Sequence, residues 1–278
     1  MTTPIPFEIL VATMHRTDLS FLKAMFPEDD YRRFQILVIN QTDAEHQLES
    51  DSDSIRVINT EERGLSNSRN MAIENALGAI CLVADDDVRY VKGFEEGILN
   101  AFLPSEQAGA KAKDAAVITF QVQDDEGNLY RNYPDIEQHT KKTVFTVNGV
   151  VIAFKTDAIR SKGIQYNTLF GLGATFETAD EYIFMNDVLE AGLIARFEPF
   201  VILTHPVYNS GMDSGSDRII FARAALKQKY LGRLSYLWVF KYVRFLVAHN
   251  YIAKAQFWEK LKVGFAGIKK YKQLVKRQ

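Results

Sequence analysis

The chain has 278 residues, of which 47% are hydrophobic and 24% charged, with a formal net charge of −2. This suffices for one large domain with an appendage or two modest domains, and it excludes a global attraction to nucleic acid. The average hides an asymmetry: residues 223–278 carry fourteen Lys or Arg against one acid, Glu259, whereas residues 1–222 carry nineteen bases against thirty-four acids.

An acidic body with a basic tail points to an anionic partner surface, a membrane before a nucleic acid. Cys81 is the only cysteine, so no intrachain disulfide forms and a cytosolic setting is expected. The opening "MTTPIPFEIL" lacks the basic-then-apolar pattern of a secretory signal. No apolar run reaches the ~18 to 20 residues of a bilayer-spanning helix. The nearest candidate, "YLWVFKYVRFLVAHNYIA", is broken by Lys241 and Arg244, so a soluble or peripheral protein is expected.

In chain order, "FEILVAT" (7–13) reads as a buried strand, followed by a polar turn and a helical segment near "LSFLKAMF". "FQILVINQTD" (34–43), "SIRVINTEERG" (54–64) and "GAICLVADDD" (78–87) repeat the plan of an apolar run with a polar end. Between the last two, "LSNSRNMAIENALG" has helical spacing, with Gly78 placed to cap the helix. Strands alternating with helices predict an α/β fold with a mostly parallel sheet, whose carboxyl ends open onto a ligand crevice.

Further along, "VKGFEEGILNAFL" reads as a helix and 104–114 as a loop. "AAVITFQVQ" and "TVFTVNGVVIAF" read as longer strands, "FGLGATFETADE" as a glycine-rich loop, and "EYIFMNDVLEAG" as a helix. Helical, basic and aromatic patterning dominates beyond about Asp217.

Three stretches carry chemistry. "LVADDDVRY" ends a strand in Asp85, Asp86 and Asp87, whose mutual repulsion a Mg²⁺ or Mn²⁺ ion would offset while bridging to a diphosphate. The bland reading is a solvated turn with Asp87 starting the next helix. In "RGLSNSRNMAI", Arg63 and Arg69 offer planar forks to phosphate oxygens, or Arg69 pairs with one of the acids. In "ETADEYIFMNDVLEAG", Asp180 and Glu181 open a helix, where acids suit the helix dipole.

"RGLSNSRNMAIENALGAICLVADDDVRY" resembles the central block of the family 2 glycosyltransferases, and the likeness extends over roughly residues 5–205. It implies the GT-A fold: a Rossmann-like, mixed and mostly parallel sheet flanked by helices, here with a basic helical C-terminal extension. The implied domains are 1–216, with a nucleotide-binding half to about 103 and an acceptor-side half over 115–216, and an extension over 217–278.

The resemblance implies transfer of a sugar from a nucleoside-diphosphate donor, UDP first, to an acceptor hydroxyl with inversion, aided by a divalent metal. It puts Thr13 and Arg16 near the nucleotide. Asn40 stands where many members have a base- or ribose-reading aspartate, which leaves the base open. Arg63 and Arg69 would face phosphate, and Asp85 and Asp86 ribose and diphosphate. Asp87 would be the direct metal ligand, with Asp85 and His205 as further metal candidates. Glu181 aligns with the usual general base, and Asp180 is the alternative. Gly171 and Gly173 would free the loop backbone, beside Phe170 and Phe176, which either stack on a sugar or pack in the core.

The acceptor implied is a saccharide or lipid-linked saccharide, as in cell-surface polysaccharide assembly at the inner face of the cytoplasmic membrane. The C-terminal helices either lie on an anionic leaflet or pack on the body with a basic face outward. A homo-oligomer is compatible with either. The competing enzyme class is a nucleotidyltransferase, which usually needs a glycine-rich loop after the first strand; "ATMHRTDLS" has no glycine. The non-enzymatic alternative is a nucleotide-sugar-binding protein with a relic site.

Overall fold

The computed structural model describes residues 5–103, 115–205 and 214–276. They divide into two units, Met1–Tyr166 with Glu181–Val207, and Asn167–Asp180 with Tyr208–Gln278. The loop expected at 104–114 lies outside the described residues.

The first unit is built on eight strands: β1 (Ile5–Met14), β2 (Ile36–Gln41), β3 (Ile55–Thr60), β4 (Gly78–Asp85), β5 (Arg89–Tyr90), β6 (Ala115–Gln123), β7 (Ile152–Lys155) and β8 (Ile194–Thr204). Its helices are α1 (Ser20–Met25), α2 (Leu65–Asn75), α3 (Phe94–Phe102), α4 (Thr156–Ser161) and α5 (Asp180–Glu190). The sheet order is β3-β2-β1-β4-β7-β6-β8-β5. The first four strands run parallel, β7 is antiparallel to β4 and β6, β8 is parallel to β6, and β5 is antiparallel to β8.

The apolar runs are continuous because both sheet faces are covered. Phe7, Ile9, Val11, Ile36, Val38, Leu82 and Ala84 join Phe94 and Ile98 of α3 in one core. The alternate residues Leu10, Leu37, Ile39, Cys81 and Val83 join Ala72 and Ile73 of α2 and Phe184 and Val188 of α5 in the other. This is the two-residue period of a strand read on both faces.

Strand order places the crevice. From β1 the chain proceeds to β2 and β3 on one side, then returns through α2 to β4 on the other. Such a reversal opens a ligand cleft at the carboxyl ends of the two central strands. In register, Ala12 lies beside Asp85, Thr13 beside Asn40, and Asn40 beside Asn59. The mixed, mostly parallel α/β sheet is the one expected.

Two local expectations fail for physical reasons. Gly78 does not cap α2; it is the buried first residue of β4, where a Cβ would sit 2.6 Å from that of Glu8. Arg160 of α4 closes α2 instead, donating to the carbonyls of Ile73, Glu74 and Ala76. "TVFTVNGVVIAF" does not form one long strand. It makes two 3₁₀ turns, Val144–Thr146 and Gly149–Val151, before the short β7. Asn148 accepts from the Val150 amide and Arg131 donates to the Thr146 carbonyl, so local side chains satisfy backbone groups a ladder would otherwise take.

The second unit contains α6 (Asp217–Leu231), α7 (Ser235–Ala248) and α8 (Phe257–Val275) around Ile220, Ala224, Val239, Val243, Leu246, Leu261 and Ile268. Gly264 and Gly267 let α8 approach closely: a Cβ would lie 2.5 Å from Val239 Cγ1 and 2.2 Å from the Phe221 carbonyl oxygen, respectively. In the 167–180 segment Gly171 and Gly173 have φ of 102° and 75°, as the glycine-rich loop led one to expect. Phe170 and Phe176 are fully buried against each other, near Tyr271, so both rings take the core-packing option.

Candidate active site

The carboxyl end of β4 delivers three acids, and each takes a different partner. Asp85 is the last strand residue, and Asp86 and Asp87 form the turn after it.

Asp86 braces the loop after β1. Its Oδ2 accepts from the Thr13 hydroxyl and, at 2.8 Å, from Arg16 Nε; Arg16 NH2 lies 2.7 Å from the same oxygen. Asn40 supports this loop from below. It is fully buried, accepts from the Arg16 amide at 3.1 Å, and donates to the Arg16 carbonyl and to Asn59 Oδ1, both at 2.9 Å. The structure thus brings Thr13, Arg16, Asn40 and Asp86 together, with Asn40 acting through the Arg16 backbone. Arg16 keeps a side chain 41% exposed, stacked near Phe21.

Asp85 faces the other way, toward Arg69 of α2. The Arg69 guanidinium is 3% exposed; its NH2 donates to Asp85 Oδ1 at 3.2 Å and its NH1 lies 3.7 Å from Glu181 Oε1. It also lies over the Tyr166 ring, 5.3 Å from its centroid, within reach of the ring's negative face. Gly149 makes room for the fork, since a Cβ there would sit 2.6 Å from Arg69 NH2. Arg69 therefore ties the acid at the end of β4 to the acid at the start of α5. It does so through carboxylates, where a phosphate partner was also open to it.

Asp87 pairs with His205, whose Nε2 lies 3.4 Å from Asp87 Oδ1. That hydrogen bond lowers the Asp87 pKa, against an opposing effect of burial. The other ring nitrogen, Nδ1, lies 2.8 Å from the Tyr130 hydroxyl. Asp85 does not join this pair. Among the described residues no group of three or more His, Cys, Asp and Glu converges. Two protein donors still fit a hard cation carried in by a diphosphate, because such an ion takes most of its oxygens from phosphate and water.

Arg63 stands apart: it is exposed, and its NH1 reaches the Thr42 carbonyl at 3.4 Å rather than any acid of the β4 end. Glu181 and Asp180 differ in access. The Glu181 side chain is 25% exposed, whereas Asp180 is 3% exposed. Three residues of this site escaped sequence reasoning: Tyr130, Tyr166 and Gly149. None lies in a motif; each is a single residue whose value comes from the fold placing it beside His205 or Arg69.

Comparisons with known proteins bear on the family and the fold. The family model described as Glycosyl transferase family 2 matches residues 12–163. Among solved structures, the mannosyltransferase PcManGT from Pyrobaculum calidifontis, in complex with GDP-Man and Mn²⁺, aligns with a TM-score of 0.56 at 13% identity, covering 96% of this chain and 88% of that one. S. aureus TarS 1–349 aligns with a TM-score of 0.51 at 12% identity, covering 97% and 92%. The same TarS fragment in complex with UDP aligns at 0.50 with 14% identity, covering 90% and 73%. At such identities the likeness concerns the fold, and it bears out the GT-A architecture. No curated protein matches the sequence. With more than half of its length matched by the family model, the chain belongs to glycosyl transferase family 2 and is a glycosyltransferase.

Proposed function

We propose that this glycosyltransferase takes its sugar from a nucleoside diphosphate donor, UDP-linked before GDP-linked, and passes it with inversion to a hydroxyl of a saccharide or lipid-linked saccharide. The observation that carries this reading is the Asp85–Arg69–Glu181 bridge, which links an acid at the donor crevice to a partly exposed carboxylate at the start of α5. Supporting it, PcManGT is seen with GDP-Man and Mn²⁺ and TarS with UDP.

The chemistry follows from the placement. The nucleotide lies across the β1–β4 crevice, where the Thr13–Asp86–Arg16 brace shapes the floor and the exposed edge of the Arg16 guanidinium meets anionic oxygen. Asp87 and His205 would hold the divalent ion, with the Tyr130 hydroxyl, 2.8 Å from His205 Nδ1, orienting the imidazole ring. When bound, that ion neutralises charge on the departing diphosphate.

Glu181 accepts the proton of the acceptor hydroxyl as that oxygen bonds to the anomeric carbon. The bond from that carbon to the diphosphate oxygen breaks on the opposite face, and the nucleoside diphosphate leaves with the electron pair. Asp180 is too enclosed to meet an acceptor directly. We assign donor binding to residues up to about 103, acceptor-side chemistry to 115–216, and an accessory role to 217–278. A cell-surface polysaccharide is the acceptor setting that the basic segment favours.

A panel of UDP-, GDP- and CDP-sugars, each with and without Mn²⁺, tests the reading. One donor class should be consumed in the presence of metal, and the product's anomeric proton coupling should report inversion. Intact donors throughout, or retained configuration, would overturn it.

A further inference from the structure

Outside their buried seam, α7 and α8 present rings and cations rather than a mixed polar surface. On α7, Val239, Val243 and Leu246 are buried, whereas Leu237 is 55%, Phe240 38% and Phe245 47% exposed, with Lys241 and Arg244 exposed among them. On α8, Leu261, Gly264 and Ile268 face inward. Trp258 is 69% exposed at the helix start, and Lys262, Lys269 and Lys276 follow it along one outer stripe at helical spacing.

The two outer faces are continuous. The rings of Phe240 and Phe257 meet at 5.7 Å, and those of Tyr236 and Phe265 at 5.3 Å, across the α7–α8 seam. Glu259 is the only acid from Arg223 to the end of the sequence. The unit's own core is complete on the other side of these helices, so internal packing does not explain the exposed rings.

We propose that the outer face of α7 and α8 docks on an anionic lipid bilayer, with Leu237, Phe240 and Trp258 entering the acyl boundary and Lys241, Arg244 and Lys262 meeting lipid phosphates. The pattern is that of a helix lying in the interface, and among the described residues no helix is long and apolar enough to cross. A second copy of this face is disfavoured, because a two-fold contact would set lysine against lysine. A polynucleotide would match the cations but gives exposed leucines such as Leu237 nothing to bury against. This inference stands on the second unit alone and does not rest on the donor or metal assignment.

The chain has two tryptophans, Trp238 and Trp258, so Trp238→Phe leaves Trp258 as the single reporter. Its emission should shift to the blue with vesicles of phosphatidylcholine plus phosphatidylglycerol, be quenched by brominated acyl chains, and stay unchanged with phosphatidylcholine alone. The double variant Lys262→Glu/Lys269→Glu should weaken partitioning by roughly tenfold or more, with unchanged circular dichroism. Leu237→Glu should abolish the bromine quenching.

No shift with anionic vesicles would overturn the proposal. So would an equal shift with neutral vesicles, with a single-stranded oligonucleotide, or on raising protein concentration without lipid. Should Trp238→Phe not fold, co-sedimentation of the unaltered chain with the same two vesicle types makes the same discrimination: pelleting only with the anionic vesicles supports it, and equal or no pelleting overturns it.

Discussion

Arg69 is a cation with almost no access to water, and a buried charge is tolerated only when opposite charge and hydrogen bonds surround it. Asp85, Glu181 and the Tyr166 face provide that surrounding. The arrangement uses the planar fork: two nitrogens address two carboxylates on different elements, which an ammonium cannot do at one fixed geometry. Arg69→Lys should therefore lower kcat by about ten- to a hundredfold through misplacement of Glu181, with a much smaller change in the donor KM. Steady-state release of nucleoside diphosphate checks this, beside a thermal melt. Equal kcat would mean that the fork does not position the base.

Gly149 belongs to the same logic from the opposite side. A methyl group there meets the guanidinium at 2.6 Å, and Arg69 is the flexible partner that must yield. Gly149→Ala should cost activity out of proportion to stability, with kcat falling severalfold and the melting temperature little changed. An unaltered kcat would contradict the close fit.

At the scale of elements, backbone ends are satisfied by distant side chains. Glu8, buried in β1, accepts from the amides of Leu77 and Gly78 at 2.6 and 2.9 Å and from Arg56 at 2.7 Å. It thereby fixes where α2 gives way to β4, and so where β4 ends at the acids. Glu8→Ala leaves those donors unpaired and should destabilise the protein by about 2 to 4 kcal/mol, read by denaturant unfolding. A change under about 1 kcal/mol would show that the junction holds without it.

The same elements explain what was legible in the sequence. The four parallel strands were, because a strand covered on both faces must be an unbroken apolar run. The 143–154 segment was not, because its β-branched content reads as strand while Asn148, Gly149 and Arg131 turn the chain into 3₁₀ geometry. Gly78 looked like a cap because glycine after a helical run usually is one; only the approach of Glu8 reveals the alternative. That the three acids close a strand and that Glu181 lies at the start of a helix could be read from the sequence pattern. The division of labour could not, since it depends on Thr13 and Arg16 reaching Asp86, Arg69 reaching Asp85, and His205 reaching Asp87 from residues 16 to 118 positions away.

At the scale of the whole molecule, one buried group links fold and pH. His139 is 4% exposed, its ring nitrogens lying 2.7 Å from the Thr119 hydroxyl and 3.2 Å from that of Thr143. Burial pushes its pKa down to about 4. Between that value and the ordinary ~6.5 the unfolded chain binds a proton that the folded one refuses, so stability falls as pH drops through this window. The slope from this group is at most about 1.4 kcal/mol per pH unit. His139→Gln removes the titrating ring, and its stability relative to the native protein should improve steadily from pH 6.5 to about 4.5. A difference independent of pH would remove His139 from the acid response.

In the proposed reaction Glu181, held by Arg69, takes the acceptor proton. The most direct test is Glu181→Gln, a change of one atom at a position 25% exposed, assayed with the donor that the native enzyme consumes. Donor binding, followed by calorimetry with the nucleoside diphosphate and Mn²⁺, should stay within about twofold, while kcat falls by roughly 10² to 10⁴. A variant that binds the nucleotide and still turns over at the native rate would contradict the account.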